Sequence, residues 1–191
     1  DYDLVLDAYG YVIYADGVET TDEYLFVTKA AKLGGLEENN WEARAYFTDG
    51  TTAVIEVSNV GSGEDKVSLA ADNNAWYAYN EKNDGTYELT EVDNAPEKYT
   101  SGTIVETGVA SLTKSDVRLN NDTVFVVRRG DSVNVYTGIR NVPEITAANV
   151  ESGNVVEVRA ILDTNGYADY VFINGEAGEL GVSGSVAGDR I

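Results

Sequence analysis

The sequence predicts an all-β chain: two small antiparallel β-barrel or sandwich units in tandem, with at most short helical turns. Three observations predict it. The dominant hydrophobic period is two, turn dipeptides recur at short intervals, and helical periodicity is scarce. In residues 42–48, EARAYFT, Ala43, Ala45 and Phe47 fall on one face, and Glu42, Arg44 and Tyr46 on the other. Asp49-Gly50 follows, then TAVIEV, which sets Ala53, Ile55 and Val57 on one side. An Asp-Gly pair between two alternating runs is a hairpin signal, because the glycine accepts the positive φ that a tight turn needs.

The same grammar continues down the chain. WYAYNEKNDGTYELTEV reads as two strands around Asn83 to Gly85. TVFVVRRGDSVNVYTG turns at Gly130, and NVVEVRAILDTNGYADYVFI turns at Asn165-Gly166. The 43% hydrophobic share of 191 residues is enough for a core. The aromatics are 13 Tyr against 4 Phe and 2 Trp, which suits half-buried sheet faces with the ring inside and the hydroxyl in water. Two stretches read differently. YLFVTKAAKLGGL predicts a short helical turn around Lys29 to Leu33, closed by Gly34 and Gly35. VPEITAANV places Pro143 like a first-turn residue with Glu144 behind it, which predicts one helical or 3₁₀ turn.

One phrase is written twice. Leu6 to Tyr14 reads LDAYGYVIY, and Leu162 to Tyr170 reads LDTNGYADY. Each parses as strand, tight turn, strand, with the Asp side chain bonding the turn backbone. Duplication and shared turn chemistry account for the match equally well. The polar stretch DNAPEKYTSG carries one of only two prolines. It divides the chain into a β-rich unit at 1–95, a linker at 96–102, a second β-rich unit at 103–175, and a Gly/Ser-rich tail or last strand at 176–191. The chain opens on DYDLVLDAYG without an initiator Met, which reads as a fragment or a processed chain.

Charge and composition exclude whole classes of function. Thirty-three acids against 13 bases give −20, which repels nucleic-acid phosphates and anionic membrane surfaces. No apolar run is long enough to insert into a membrane as a helix. There is no Cys and no His, so thiol catalysis, Cys-ligated zinc and a Ser-His-Asp triad cannot be built. Without His, little titrates between pH 6 and 8, and stability is expected to be flat there.

LDAYGYVIYADG, YLFVTKAAKLGG, AYFTDGTTAVIEV and DTVFVVRRGDSVNVYTGIRNVP resemble the β-rich central regions of S-layer-homology-domain-containing surface proteins of gut Firmicutes. The likeness covers roughly Leu4 to Gly175. It implies an exported, extracellular, cell-wall-associated and non-catalytic protein, with cell-wall or surface components, protein or glycan, as partners. It brings no functional residues with it, and no anchoring module lies within these residues.

Candidate sites follow from residue chemistry. GVSGS at Gly181 to Ser185 lacks the last glycine of a nucleophile elbow, and no carboxylate pair stands out for glycoside hydrolysis. Asp163 to Gly166 and Glu81 to Gly85 faintly resemble oxygen-rich Ca²⁺ loops, but neither continues to the closing Glu. Both read as hairpin turns, and only weak Ca²⁺ association with clustered carboxylates is expected. No cofactor is expected. NNAWYAY puts Tyr77 and Tyr79 on one strand face and Trp76 on the other, while Trp41 stands alone after EENN. The preferred reading is a structural or adhesive spacer or protein-interaction module. The alternative is a carbohydrate-binding module that needs Trp41, Tyr77 and Tyr79 exposed on one surface.

Overall fold

The computed structural model describes residues 2–6, 12–17, 23–34, 40–60, 69 and 73–183. Among them the chain is all-β, without a helix. An antiparallel pair of β1 (Tyr2–Leu6) and β2 (Val12–Gly17) comes first, and among the described residues the two strands pair only with each other.

A closed five-stranded barrel follows. Its strands are β3 (Tyr24–Lys32), β4 (Trp41–Phe47), β5 (Thr52–Val60), β6 (Ala75–Glu81) and β7 (Tyr87–Glu91). Around the barrel the order is β3-β4-β5-β7-β6, with β5 and β7 parallel and the other pairs antiparallel. The alternation read from the sequence holds: Ala43, Ala45, Ile55 and Val57 point into the bore with Leu25, Val27 and Leu89, while Phe47 and Ala53 pack partly buried beside them. Five strands leave a narrow bore, which the small alanines of β4 and β5 fit.

The turn expected at Lys29 to Leu33 is corrected: Lys29 to Lys32 continue β3. Val27 faces Ala45 and Lys29 faces Arg44, so Thr28 is the extra residue of a β-bulge. A bulge moves the side-chain phase by one. Leu25 and Val27 point inward before it, and Ala30 packs on the same core after it. The phase change breaks the period of two and makes the segment look helical.

The second unit is a sandwich. Its larger sheet has the order β11 (Ser132–Thr137), β10 (Val124–Arg129), β14 (Ala168–Gly175), β13 (Val156–Leu162), β8 (Ala95–Tyr99). The smaller sheet has the order β15 (Leu180–Ser183), β12 (Glu144–Ala147), β9 (Gly102–Val105). Phe125, Val158, Val171 and Ile173 of the larger sheet bury against Ile104, Ile145, Ala147 and Leu180 of the smaller one. The helical turn expected around Pro143 is corrected as well: the proline immediately precedes β12, where a missing amide costs no ladder bond. Ile145 and Ala147 then alternate into the core.

Most of the stretch expected as a linker, 96–102, is strand instead: 96–99 lie in β8, which pairs with β13 from Tyr99↔Val156 to Ala95↔Ala160, and Gly102 opens β9 after a bend at Thr100-Ser101. Just before it, Asn94 clamps the junction. Its Oδ1 accepts from the Trp76 amide at 2.8 Å, and its Nδ2 donates to the Trp76 carbonyl at 3.2 Å and the Val92 carbonyl at 2.8 Å. Of the expected tail, Leu180–Ser183 form β15, and 184–191 lie outside the described residues.

The described strand residues of the repeated phrase pair the same way in both copies. Leu6 faces Val12 and Val5 faces Tyr14, with a register shift between Val5 and Leu6. Leu162 faces Ala168 and Ile161 faces Tyr170, with a register shift between Ile161 and Leu162. The two strand pairs therefore share a bulge at the same position. Their settings differ, because β13–β14 is central to a sheet and β1–β2 is not. The first copy's turn, residues 7–11, lies outside the described residues.

Candidate functional site

Both faces of the larger sheet are covered, one by the smaller sheet and the other by the barrel. Val126, Ile161 and Phe172 project from it into a cluster with Phe26, Tyr46 and Trp76 of the barrel wall. Phe26 and Phe172 stack with ring centroids 3.9 Å apart and planes 3° from parallel. Trp76 meets both edge-on, at 5.4 Å to Phe26 and 6.0 Å to Phe172. Trp76 Nε1 donates to the Arg159 carbonyl at 3.1 Å, so its one polar atom is satisfied across the seam. Asn174 Nδ2 donates to Asn74 Oδ1 at 3.2 Å beside the cluster.

The three aromatics singled out from the sequence sit elsewhere. Tyr77 and Tyr79 do share a face and Trp76 takes the other, as the alternation requires, but the shared face is the barrel bore. Tyr77 is 5% exposed, and Trp41 and Tyr79 pack partly buried against the same core. Trp41 begins β4 at one rim. Tyr79 meets Phe47 at the opposite rim, with centroids 5.5 Å apart and planes at 77°. Six strand steps separate those rims by roughly 20 Å. The three residues form no common open surface, and the Phe47 and Tyr79 rings lie edge to face, so that rim offers no flat platform for a sugar ring.

The acidic turns spend their carboxylates on the backbone. Asp163 Oδ1 accepts from the Asn165 and Tyr167 amides, each at 2.8 Å. Asp49 Oδ1 accepts from the Thr51 hydroxyl at 2.7 Å and its amide at 2.8 Å. Asp84 Oδ1 accepts from the Thr86 amide at 3.0 Å and its hydroxyl at 2.8 Å. These bonds hold all three carboxyls below the usual aspartate value: the Tyr167 amide foremost for Asp163, the Thr51 hydroxyl for Asp49 and the Thr86 amide for Asp84. Asp163 to Gly166 and the Asp84 turn are hairpin staples.

Two open grooves cross the outer barrel wall on either side of the Arg44–Val54 cross-strand pair. One, of about 290 Å³, runs past Lys29, Glu42 and Ala31. The other, of about 380 Å³, lies between the barrel and the β10–β11 turn and is walled by Tyr46, Thr52, Arg128 and Asp131. Burial opposes the charge of Arg128, but Glu176 at 3.0 Å and Tyr46 raise its pKa above the ordinary value. Asn174 Oδ1 accepts from it at 2.9 Å.

The seam between barrel and sandwich escapes a reading by alternation alone. Its signal was nevertheless present: Tyr170-Val171-Phe172-Ile173 has no charged residue, as befits a strand covered on both faces. No protein-family model, curated protein or solved structure matches the chain.

Proposed function

We propose that the chain is a non-catalytic structural or adhesive module of an exported bacterial cell-surface protein, serving as a spacer or protein-interaction domain in an extracellular, wall-associated setting. The observation that carries this reading is the seam. A spacer must transmit position and load without hinging between its units. Here Phe26, Tyr46 and Trp76 interlock with Val126, Ile161 and Phe172 in a dry cluster, and Asn94 pins the crossover. Such contacts give way together or not at all, because close-packed interiors do not deform smoothly. A net charge of −20 keeps the outer surface solvated and discourages self-association. The likeness of its phrases to S-layer-type surface proteins supports the location.

Protease shaving of intact source cells tests the reading. Peptides from this chain are expected among those released while a cytosolic marker stays inside. Recovery of the chain only after lysis contradicts it.

A further inference from the structure

Among the described residues, four strand edges terminate the sandwich sheets: β11 and β8 in one, β15 and β9 in the other. An edge is a row of unpaired amides and carbonyls, and proteins guard it with charge, proline, bulges or shortness. β8 carries Pro96, Glu97 and Lys98. β9 and β15 are four residues each, and the β9–β12 ladder shifts register. β11 has none of these guards. It reads Ser132-Val133-Asn134-Val135-Tyr136-Thr137, uncharged and without proline, and it pairs with β10 without a register shift.

The ladder tells which groups point outward. The Gly138 amide donates to the Thr123 carbonyl at 2.8 Å. Bonded and non-bonded pairs alternate in an antiparallel ladder. The bonded pairs are then Phe125–Tyr136, Val127–Asn134 and Arg129–Ser132, following the register. The amides and carbonyls of Val133, Val135 and Thr137 turn away from β10. Asn141 Nδ2 donates to the Thr137 carbonyl at 2.7 Å, which confirms its outward direction and caps that end. The Val133 and Val135 groups remain open among the described residues.

Charge beside the edge at the uncapped end is mixed, but Arg128 pairs with Glu176 and Arg129 bonds the Ala177 and Leu180 carbonyls, which leaves Asp131 as the uncommitted charge among the described residues. Asp131 is exposed and immediately precedes β11. The β4–β5 turn rests against the strand: a Cβ added to Gly50 would fall 2.8 Å from Val135 Cγ2. That turn carries Asp49, which is also exposed. Arg140, exposed, lies beyond the Asn141-capped end of the strand.

We propose that the free edge of β11 docks an extended segment of another polypeptide as a sixth strand: uncharged β-formers over the ladder, with lysine or arginine toward Asp131 and Asp49. This deepens the protein-interaction reading above and rests on it. Main-chain bonds to Val133 and Val135 supply the pairing, and the flanking cations supply selectivity. A second copy is the poorer occupant, because two chains of −20 repel.

The test uses the whole chain, amide-labelled for NMR, and two synthetic probes: Val-Thr-Val-Thr flanked by lysines, and the same core flanked by glutamates. The lysine peptide is expected to shift the Val133, Val135 and Thr137 amides saturably, at least about tenfold more tightly than the glutamate peptide. Added salt should weaken it. N-methylating alternate amides of the peptide should abolish it with the protein untouched, and Val135→Pro should do the same from the protein side. Equal binding of both probes, shifts centred elsewhere, no binding, or concentration-dependent self-association through the same amides would each overturn the proposal. Any of these leaves the shaving result unaffected, so the two readings fail separately.

Discussion

Phe26 of the barrel lies flat on Phe172 of the sandwich, with ring centroids 3.9 Å apart. Neither ring is solvent-exposed beyond 1%. Replacing Phe172 with Ala removes a buried ring and leaves a gap that Trp76 and Tyr46 cannot fill without leaving their own partners. The expected loss of stability is about 3–5 kcal/mol, read from urea unfolding. A loss under about 1 kcal/mol would mean that the seam contributes little.

Acid should weaken the turns. Asp49, Asp84 and Asp163 have folded pKa values below their ordinary ones. Their contribution is present above the ordinary carboxylate pKa and disappears as pH falls toward the folded values. Asp169 works the other way: burial and then Asp163 raise its pKa, so protonation relieves it. Three turns outweigh one side chain, and the melting temperature should fall between about pH 5 and pH 3. The triple Asn variant keeps an acceptor oxygen without a charge, and its acid limb should be shallower than that of the native chain. Between pH 6 and 8 the melting temperature should stay level, since there is no His.

Alkali should act through the tyrosines. Burial, with Glu23 adding to it, pushes Tyr79 up to about 12. Burial, with help from Glu97, does the same for Tyr99, whose hydroxyl donates to the Thr113 carbonyl. A raised folded pKa gives stability that is full below the unfolded value and lost as pH climbs through the folded one. Absorbance at the tyrosinate band should therefore rise in two phases: a gradual one for exposed rings near pH 10, then a steep one that coincides with loss of the β-sheet signal. A single smooth rise, complete before unfolding, would contradict these burials.

Gly138 should resist substitution. Its φ is +85°, and an added Cβ would sit 2.6 Å from the Asn121 carbonyl oxygen. Gly138→Ala should cost more than about 1 kcal/mol, because both strain and clash act. Gly85→Ala is the control. Gly85 shares the positive φ but has open space around it, so it should cost less. Equal losses would remove the clash from the explanation.

Much of this architecture was legible in the residues, and the exceptions have physical reasons. Alternation identified the barrel face of Ala43, Ala45, Ile55 and Val57 because each position meets either the bore or the outside. Alternation failed at Thr28, where a bulge shifts the phase. It also failed to separate linker from strand at Ala95–Tyr99, where Pro96 and the charges mark a sheet edge. Trp41, Tyr77 and Tyr79 stayed open as candidates for the carbohydrate-binding alternative because sequence shows which residues share a face, not what covers that face. Strand order supplies that information, and with it the unguarded edge of β11, whose lack of charge is meaningful only once its place in the sheet is known.

The central claim is that barrel and sandwich form one body through the Phe26–Phe172 seam. Urea unfolding followed with two probes tests it most directly. Trp41 packs on the barrel core and Trp76 lies in the seam, so fluorescence reports on the barrel and its junction, while far-ultraviolet circular dichroism reports on every sheet. The two transitions should coincide in the native chain and separate in Phe172→Ala. Separate transitions in the native chain would show two independently folding units and contradict the claim.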